Sequence, residues 1–270
     1  MKAGLYFNKN YLSDNKSYLE RITAKLLQRG VSCKYVNAFS DLDGLDVLMV
    51  LGGDGTILMV ASECAKRGIK IIGINYGHVG FLTEFEPSNL DEAIELVCSG
   101  NFVTQKRSML KITHGDKTYY ALNDLVVQRS TYGNAFSNTI NLRAEIDGST
   151  VDNYTADGLI VSTPTGSTAY SLAAGGSVLT PDLNAFILSP VCAHSLHSRP
   201  IVFSDSSTLI INQTNSRSQI NIVVDGKAVE AVSDFEKIIV TKAEYSVEFI
   251  NAEKQSFYNK LLLKLNIWSK

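Results

Sequence analysis

The sequence predicts an open α/β domain followed by a mostly antiparallel β domain, and two observations support this fold class. Over about the first hundred residues, apolar strand-like runs alternate with amphipathic helix patterns, which is typical of a βαβ series. From about residue 101, strand-like segments follow one another with turn signals between them. We therefore expect domains at 1–100 and 101–250, and a tail at 251–270 that packs back on the body.

The elements of the first domain follow from apolar runs and from helix start and stop signals. Strands are predicted at Ala3–Phe7, Val31–Val36, Asp46–Leu51 and Ile69–Ile74. Helices are predicted from a capping box at Ser17-x-x-Glu20 to Gly30, over Thr56–Arg67 before Gly68, and from Ser88-x-x-Asp91 to Gly100. Since parallel strands covered on both faces have continuous apolar sequences, Asp46–Leu51 is expected in the interior of the sheet.

The second domain is predicted from short apolar or alternating segments. These are Lys111–Thr113, Tyr119–Gln128, Thr139–Ile146, Leu159–Ser162, Thr208–Gln213, Gln219–Val224 and Lys237–Val240. The dipeptides Asp147-Gly148 and Asp225-Gly226 are typical of tight hairpin turns.

Composition excludes several classes of protein. The chain has 270 residues, 25 Lys+Arg against 27 Asp+Glu, and 45% hydrophobic residues. This balance argues against disorder and against a dedicated nucleic-acid binder. No run approaches the roughly 20 apolar residues that span a bilayer. The N-terminus turns polar at Asn8–Asn10, too early for a signal-peptide core, so we expect a cytoplasmic protein.

Two further features have simple interpretations. The four cysteines form no C-x-x-C pair, so buried free thiols are expected, and His194 and His197 lack a third metal ligand. The sequence therefore predicts no protein-held metal site. The tail from Lys254 carries four lysines and no acid, so it either packs on the body, as we expect, or lies on a membrane surface.

A glycine-rich turn at residues 52–56 is the first candidate site. Gly52-Gly53-Asp54-Gly55-Thr56 lies between a predicted strand and a predicted helix, where glycines and free N–H groups favour phosphate. A carboxylate there fits a group that accepts a proton from an attacking hydroxyl or holds a metal ion. The alternative is an ordinary turn in which Asp54 caps the helix.

The second candidate site lies in the β domain. Residues 156–171 are rich in hydroxyl groups suited to ribose and base edges, and Tyr170 offers a flat face for a purine. Asp157 can accept from an amine or a hydroxyl. The alternative is ordinary Ser/Thr turn chemistry. Asn123-Asp124 either caps a bulge or reaches into a site.

These motifs, in this order, resemble the ATP-NAD kinase family over about residues 45–205. The turn at 52–56, the loop Gly77–Leu82, the segment Leu122–Asp124 and the segment 157–170 carry the resemblance. It implies a Rossmann-like N-terminal domain, a β-sandwich-like C-terminal domain and a homo-oligomer, usually a tetramer. The implied reaction is transfer of the γ-phosphate of ATP to the 2′-hydroxyl of the adenosine ribose of NAD, with Mg²⁺ entering on ATP.

The resemblance also implies roles for individual residues. Asp54 is the expected general base on the 2′-hydroxyl. Phe81 is expected to close against the adenine, and Asn123 and Asp124 to contact the nucleoside. The other expected binding residues are Gly52, Gly53, Gly55 and Thr56 around the phosphates, and Asp157, Thr165, Thr168, Ala169, Tyr170 and Ser171 around the nucleotide.

The chain departs from the family pattern at four positions. Asp124 stands where a glutamate is usual, Thr155 where a basic residue is common, Ala173 where a serine is often found, and Gly226 where some relatives have a larger residue. Two other functions remain open from the sequence: a lipid or sugar-alcohol kinase that uses the same GGDG turn, and a dinucleotide sensor without catalytic activity.

Overall fold

The computed structural model describes residues 1–7, 12–75, 80–130, 139–214, 219–233, 235–251 and 257–268, with 12–17 and 265–268 described by their backbone. The chain forms two compact units. Unit 1 comprises residues 1–106 and 247–270, and unit 2 comprises residues 107–246. In the part of the chain that is described, no helix combines the length and apolar character needed to cross a membrane.

The helices and strands are numbered in chain order. The helices are α1 Leu12–Gln28, α2 Asp54–Arg67, α3 Leu90–Ser99, α4 Tyr170–Ala173 and α5 Phe257–Trp268. The first nine strands are β1 Lys2–Phe7, β2 Ser32–Tyr35, β3 Val47–Leu51, β4 Lys70–Ile74, β5 Val103–Arg107, β6 Leu110–His114, β7 Lys117–Ala121, β8 Asp124–Arg129 and β9 Ile140–Ile146. The remaining strands are β10 Ser149–Ala156, β11 Gly158–Ser162, β12 Ala185–Val191, β13 Ile201–Ser204, β14 Leu209–Gln213, β15 Ile220–Val224, β16 Lys227–Val232, β17 Ile238–Lys242 and β18 Val247–Asn251.

Unit 1 is an α/β sheet in the order β2-β1-β3-β4-β18-β5. Strands β1 to β4 pair in parallel, and all five residues of β3 are buried. This is the arrangement expected of a continuous apolar run covered on both faces. Helices α2 and α3 end at Gly68 and Gly100, which adopt the left-handed conformation that glycine tolerates. The predicted α/β sheet is therefore confirmed.

Unit 1 differs from the sequence-based expectation in two places. Helix α1 begins at Leu12, so Ser17 lies inside the helix and the predicted capping box is not its start. Strand β18 pairs in parallel with β4, which returns residues 247–270 to unit 1. The two units therefore have other bounds than the expected domains 1–100 and 101–250. The pairing of β18 with β4 joins segments that are distant in the chain, and such pairing leaves no local signal in the sequence.

Unit 2 consists of two six-stranded sheets, β10-β9-β14-β17-β6-β7 and β13-β12-β11-β8-β15-β16. A single core cluster contains residues of both sheets, among them Leu110 and Ile112 of β6 and Leu125 of β8. Two sheets that share one core form a sandwich.

Both hairpin turns predicted in unit 2 are confirmed. Asp147-Gly148 connects β9 to β10, and Asp225-Gly226 connects β15 to β16. Both residues of each turn have positive φ, as a type I′ turn requires.

The sequence-based prediction omits several strands of unit 2, among them β10, β12, β13 and β16. The predicted strand Tyr119–Gln128 is two strands, because residues 122 and 123 leave β7 before β8 begins. The expectation of four buried thiols is also wrong in part. All four cysteines are free, and Cys64 is buried, but Cys192 is exposed.

Candidate active site

The glycine-rich turn connects β3 to α2 in unit 1. Gly52 has φ +154°, and a Cβ there would lie 2.8 Å from the Cβ of Thr56, so the position requires glycine. Gly53 precedes the helix, and its carbonyl accepts the N–H of Thr56 at 2.9 Å. Apart from the adjoining residues and the backbone of α2, no described atom lies within 4 Å of a Cβ built at Gly53 or Gly55. Packing therefore does not require these two glycines, which is consistent with backbone left open to a ligand.

Asp54 is the first residue of α2, and its carboxylate is held by backbone donors. Oδ2 accepts the N–H of Phe81 at 2.8 Å, and Oδ1 accepts the N–H of Leu82 at 3.0 Å. The residue that caps α2 is Gly53, so Asp54 does not have the alternative role of helix cap. The carboxylate is fixed in orientation while its side chain remains 28% exposed.

Gly80 gives the carboxylate its space. A Cβ at this position would overlap Asp54 Oδ1 and lie 2.7 Å from Thr83 Oγ1. Any side chain at position 80 would therefore displace Asp54 or the segment that binds it. Residues 77–79 of the loop predicted at Gly77–Leu82 lie outside the described residues.

A lysine from α5 completes the surroundings of Asp54. Lys264 Nζ lies 3.8 Å from Asp54 Oδ2 and 4.8 Å from the centre of the Phe81 ring. The Phe81 ring also lies 6.4 Å from that of Phe257. Lys264 is not among the site residues expected from the sequence. The only feature of the sequence that could have indicated it is the excess of lysine in the tail.

In unit 2, Asp225 organises the segment that contains Asn123 and Asp124. Its carboxylate accepts the N–H groups of Leu122 at 2.8 Å, Asn123 at 2.7 Å and Asp124 at 3.1 Å. Burial raises the pKa of Asp225 to about 6. Burial, and then repulsion by Asp225, raise the pKa of Asp124 to about 7. The sequence indicates Asp225 only as a turn residue, because its second role depends on a strand that lies far away in the chain.

Asn123 has an acceptor that the protein leaves unused. Its side-chain Oδ1 is buried and has no hydrogen-bond partner among the described residues. Its backbone carbonyl accepts the N–H of Thr163 at 2.9 Å. A Cβ at Gly166 would overlap that carbonyl and lie 2.7 Å from Asn123 Cα. The turn at 163–166 therefore packs directly against Asn123.

Many hydroxyl groups of the segment 162–171 bind nearby backbone. Thr163 Oγ1 donates to Leu122 O at 2.5 Å, and Ser167 Oγ donates to Pro164 O at 2.7 Å. Thr168 Oγ1 donates to Thr165 O at 3.4 Å. These bonds shape the turn, so ordinary turn chemistry accounts for much of the hydroxyl content.

The remaining members of this segment differ in exposure. Ser171 is fully buried, and its hydroxyl lies 3.0 Å from that of Ser189, so it stabilises the turn from within. Thr165 is buried as well. Ala169 and Tyr170 are exposed, and 44% of Tyr170 is accessible, which leaves its ring free to stack.

Asp157 forms an ion pair that the sequence did not predict. Arg129 Nε lies 2.9 Å from Asp157 Oδ1, and both side chains are one-third exposed. Thr155, two residues earlier, donates to Asn141 Oδ1 at 2.7 Å. Thr155, which stands where relatives often have a basic residue, thus forms its side-chain hydrogen bond with another residue of unit 2. Among the described residues, no three His, Cys, Asp or Glu side chains are grouped to hold a metal ion.

An α/β unit with a glycine-rich turn that presents a fixed carboxylate, in a chain that also has a β-sandwich, fits a phosphotransferase of the nucleotide-binding class. Comparison with known proteins identifies the family. The ATP-NAD kinase N-terminal domain matches residues 11–102, and the ATP-NAD kinase C-terminal domain matches residues 122–252. The chain belongs to the ATP-NAD kinase family.

Individual relatives are similar over most of their length. The chain is 37% identical over 226 residues to an NAD kinase of Carboxydothermus hydrogenoformans, covering 82% of this chain and 79% of that protein. It is 34% identical over 260 residues to an NAD kinase of Methanothermobacter thermautotrophicus, covering 91% and 90%. These similarities confirm the family that the motifs predicted.

Two solved structures share the fold. An NAD kinase from Archaeoglobus fulgidus in complex with ATP has a TM-score of 0.82 and 27% identity, covering 98% of this chain and 99% of that one. A yeast NADH kinase complexed with NADH has a TM-score of 0.82 and 23% identity, covering 100% and 89%, and supports the fold alone. The predicted fold class, an α/β domain with a β-sandwich domain, is confirmed.

Proposed function

We propose that this chain transfers the γ-phosphate of ATP to the 2′-hydroxyl of the adenosine ribose of NAD, giving NADP. Membership in the ATP-NAD kinase family supports an ATP-dependent kinase that acts on NAD. The observation that carries the mechanism is the carboxylate of Asp54, the first residue of α2, which accepts the backbone N–H groups of Phe81 and Leu82.

Asp54 acts as the general base on the 2′-hydroxyl. Phosphoryl transfer needs an oriented nucleophile and compensation of the polyphosphate charge, and it needs little covalent chemistry from the protein. The bonds from Phe81 and Leu82 fix the orientation of the carboxylate, while each oxygen keeps a lone pair for a further donor. The glycine-rich turn at the start of α2 adds backbone N–H groups that favour phosphate oxygens.

In unit 2, we assign nucleotide binding first to side-chain groups that are free to contact a ligand. Asn123 Oδ1 has an unused acceptor, Asp124 is a buried acid, and Tyr170 has an accessible ring. Asp157 contributes with Arg129 as an ion pair. The turn that carries Tyr170 is shaped by Thr165, Thr168, Ala169 and Ser171. In unit 1, Phe81 contributes an aromatic face.

Magnesium belongs to the proposal as a partner of ATP. Mg²⁺ keeps most of its ligands as phosphate oxygens and water in such reactions, and it neutralises the polyphosphate charge. The carboxylate of Asp54 would supply one oxygen to a phosphate-bound Mg²⁺, while backbone N–H groups of the glycine-rich turn would bind the phosphate oxygens. Among the described residues no cluster of His, Cys, Asp or Glu forms a dedicated cage, which fits a metal held mainly by phosphate and water. We also propose a cytoplasmic homo-oligomer, a tetramer or a dimer.

The test is NADP formation from NAD, ATP and Mg²⁺, measured through an NADP-specific dehydrogenase. The wild-type chain is expected to form NADP, and Asp54→Asn to lose roughly 10²–10⁴ in rate, the usual contribution of a general base. Asp91→Asn, an exposed carboxylate on α3, is the matched control and is expected to keep full activity. Activity on lipids or sugar alcohols without NADP formation, or binding of NAD without turnover, would reject the proposal.

A further inference from the structure

One face of α5 contacts the segment that binds Asp54. Phe257, Lys260 and Lys264 are spaced at i, i+3 and i+7, so they share one side of the helix. Phe257 contacts the Phe81 ring, Lys260 pairs with Glu84, and Lys264 lies beside Asp54 and Phe81. The helix thus presents two ammonium groups to Asp54 and to residues 80–85.

The first of these lysines fixes the position of the helix. Lys260 is 8% exposed, and its ammonium pairs with the Glu84 carboxylate, whose side chain is 7% exposed. The same ammonium donates to Thr83 O at 3.4 Å. Removing one partner of a buried pair leaves an uncompensated charge, so this contact strongly favours a single docked position.

The second lysine lies at the proposed base itself. Its ammonium is 3.8 Å from Asp54 Oδ2 and faces the Phe81 ring at 4.8 Å, and its side chain is 18% exposed. A carboxylate beside a polyphosphate meets strong repulsion, and a fixed cation within 4 Å compensates part of that charge. The ring holds the ammonium by a cation–π interaction.

We propose that Lys264 is a positioning residue that holds the Asp54 carboxylate in place and compensates its charge when the polyphosphate binds. This inference rests on the proposed function. Helix α5 then contributes a side chain to the kinase site. Its two lysines have different roles: Lys260 holds the helix in place through Glu84, and Lys264 orients Asp54.

The first test compares kinetic constants of the full chain. Lys264→Met is expected to lower kcat by roughly 10–100-fold, the scale of a misplaced reacting group, and to change KM for NAD by less than about 3-fold. Lys264→Arg, which keeps the charge, is expected to recover most of the loss. Lys106→Met is the matched control. Lys106 also pairs with a carboxylate, that of Glu248 at 3.6 Å, but its side chain is 72% exposed on β5 and does not contact Asp54.

The second test asks whether Lys264 acts through Asp54. In the Asp54→Asn background, Lys264→Met is expected to cost little further rate, because its partner is already gone. Equal losses in both backgrounds would overturn the inference, as would unchanged kcat in Lys264→Met alone. Thermal melting is measured for each variant, and a loss of kcat that follows a loss of folded protein also counts against it.

The outcomes separate this inference from the function on which it rests. NADP formation by the wild type with no effect of Lys264→Met rejects the role of Lys264 and leaves the proposed function standing. No NADP formation by the wild type rejects the proposed function and this inference with it.

Discussion

The buried carboxyl group of Asp124 makes the stability of unit 2 depend on pH. Asp124 is 5% exposed and lies near Asp225, and its pKa is raised from 3.8 to about 7. That difference corresponds to about 4 kcal/mol of unfavourable free energy for the ionised form. Since the two acids titrate as a pair, we expect Asp124→Asn to recover about 2–4 kcal/mol at alkaline pH.

The direction of this pH dependence follows from the pH range in which the folded and the unfolded chain each keep the proton on Asp124. The folded chain keeps the proton on Asp124 up to about pH 7, whereas the unfolded chain releases it near 3.8. The fold therefore loses stability as the pH rises from about 4 to about 7 through this group. Above that range, Asp124→Asn is expected to melt roughly 4–16 °C higher than the wild type, and near pH 4 the two should melt together.

Asp225→Asn supplies the contrasting variant for this experiment. The Asp225 carboxylate accepts three backbone N–H groups, and the amide nitrogen of asparagine would face some of these donors. Facing these donors costs about 1–3 kcal/mol. That cost offsets most of what removal of the buried charge recovers, since burial raises the pKa of Asp225 to about 6, so we expect Asp225→Asn to gain less stability at alkaline pH than Asp124→Asn. Calorimetric melts from about pH 4 to about pH 9, which bracket the raised pKa, measure both variants. A constant difference in melting temperature between Asp124→Asn and the wild type at every pH would show that ionisation of Asp124 does not destabilise the fold.

Two further predictions concern space and reactivity. Gly80→Ala is expected to lower kcat by about 10²-fold or more, because the added Cβ overlaps Asp54 Oδ1. Initial rates of NADP formation measure the loss, and near wild-type turnover would contradict the prediction. Burial raises the pKa of the Cys64 thiol to about 12, whereas Cys192 is exposed. A chromogenic disulfide reagent at about pH 8 should therefore label Cys192 in the native chain and Cys64 only after unfolding, and prompt native labelling of Cys64, located by peptide mass spectrometry, would be the opposite result.

The sequence predicts the local elements of unit 1 well, because their signals are local. The apolar run of β3 and the glycines that end α2 and α3 each specify structure within a few residues. The pairing of β18 with β4 joins segments that lie far apart in the chain, so no periodicity indicates it. Strands such as β16 are partly exposed and lack the apolar alternation on which their prediction depends.

The candidate site was predictable to a similar extent. The glycine-rich turn and its carboxylate are one continuous motif, so the sequence alone indicates Asp54 as the candidate base. The sequence predicts that the tail packs on the body, but no local pattern indicates that Lys264 of α5 lies beside this carboxylate within unit 1. Several hydroxyls of residues 162–171 bind nearby backbone, and composition does not distinguish such a hydroxyl from one that is free.

The most direct test of the proposed kinase reaction is a ³¹P NMR spectrum of NAD, ATP and Mg²⁺ incubated with the wild-type chain and with Asp54→Asn. We expect a new 2′-phosphomonoester resonance that grows with ADP in the wild type and is nearly absent in the variant. ADP formation without that resonance, or equal resonances from both proteins, would contradict it.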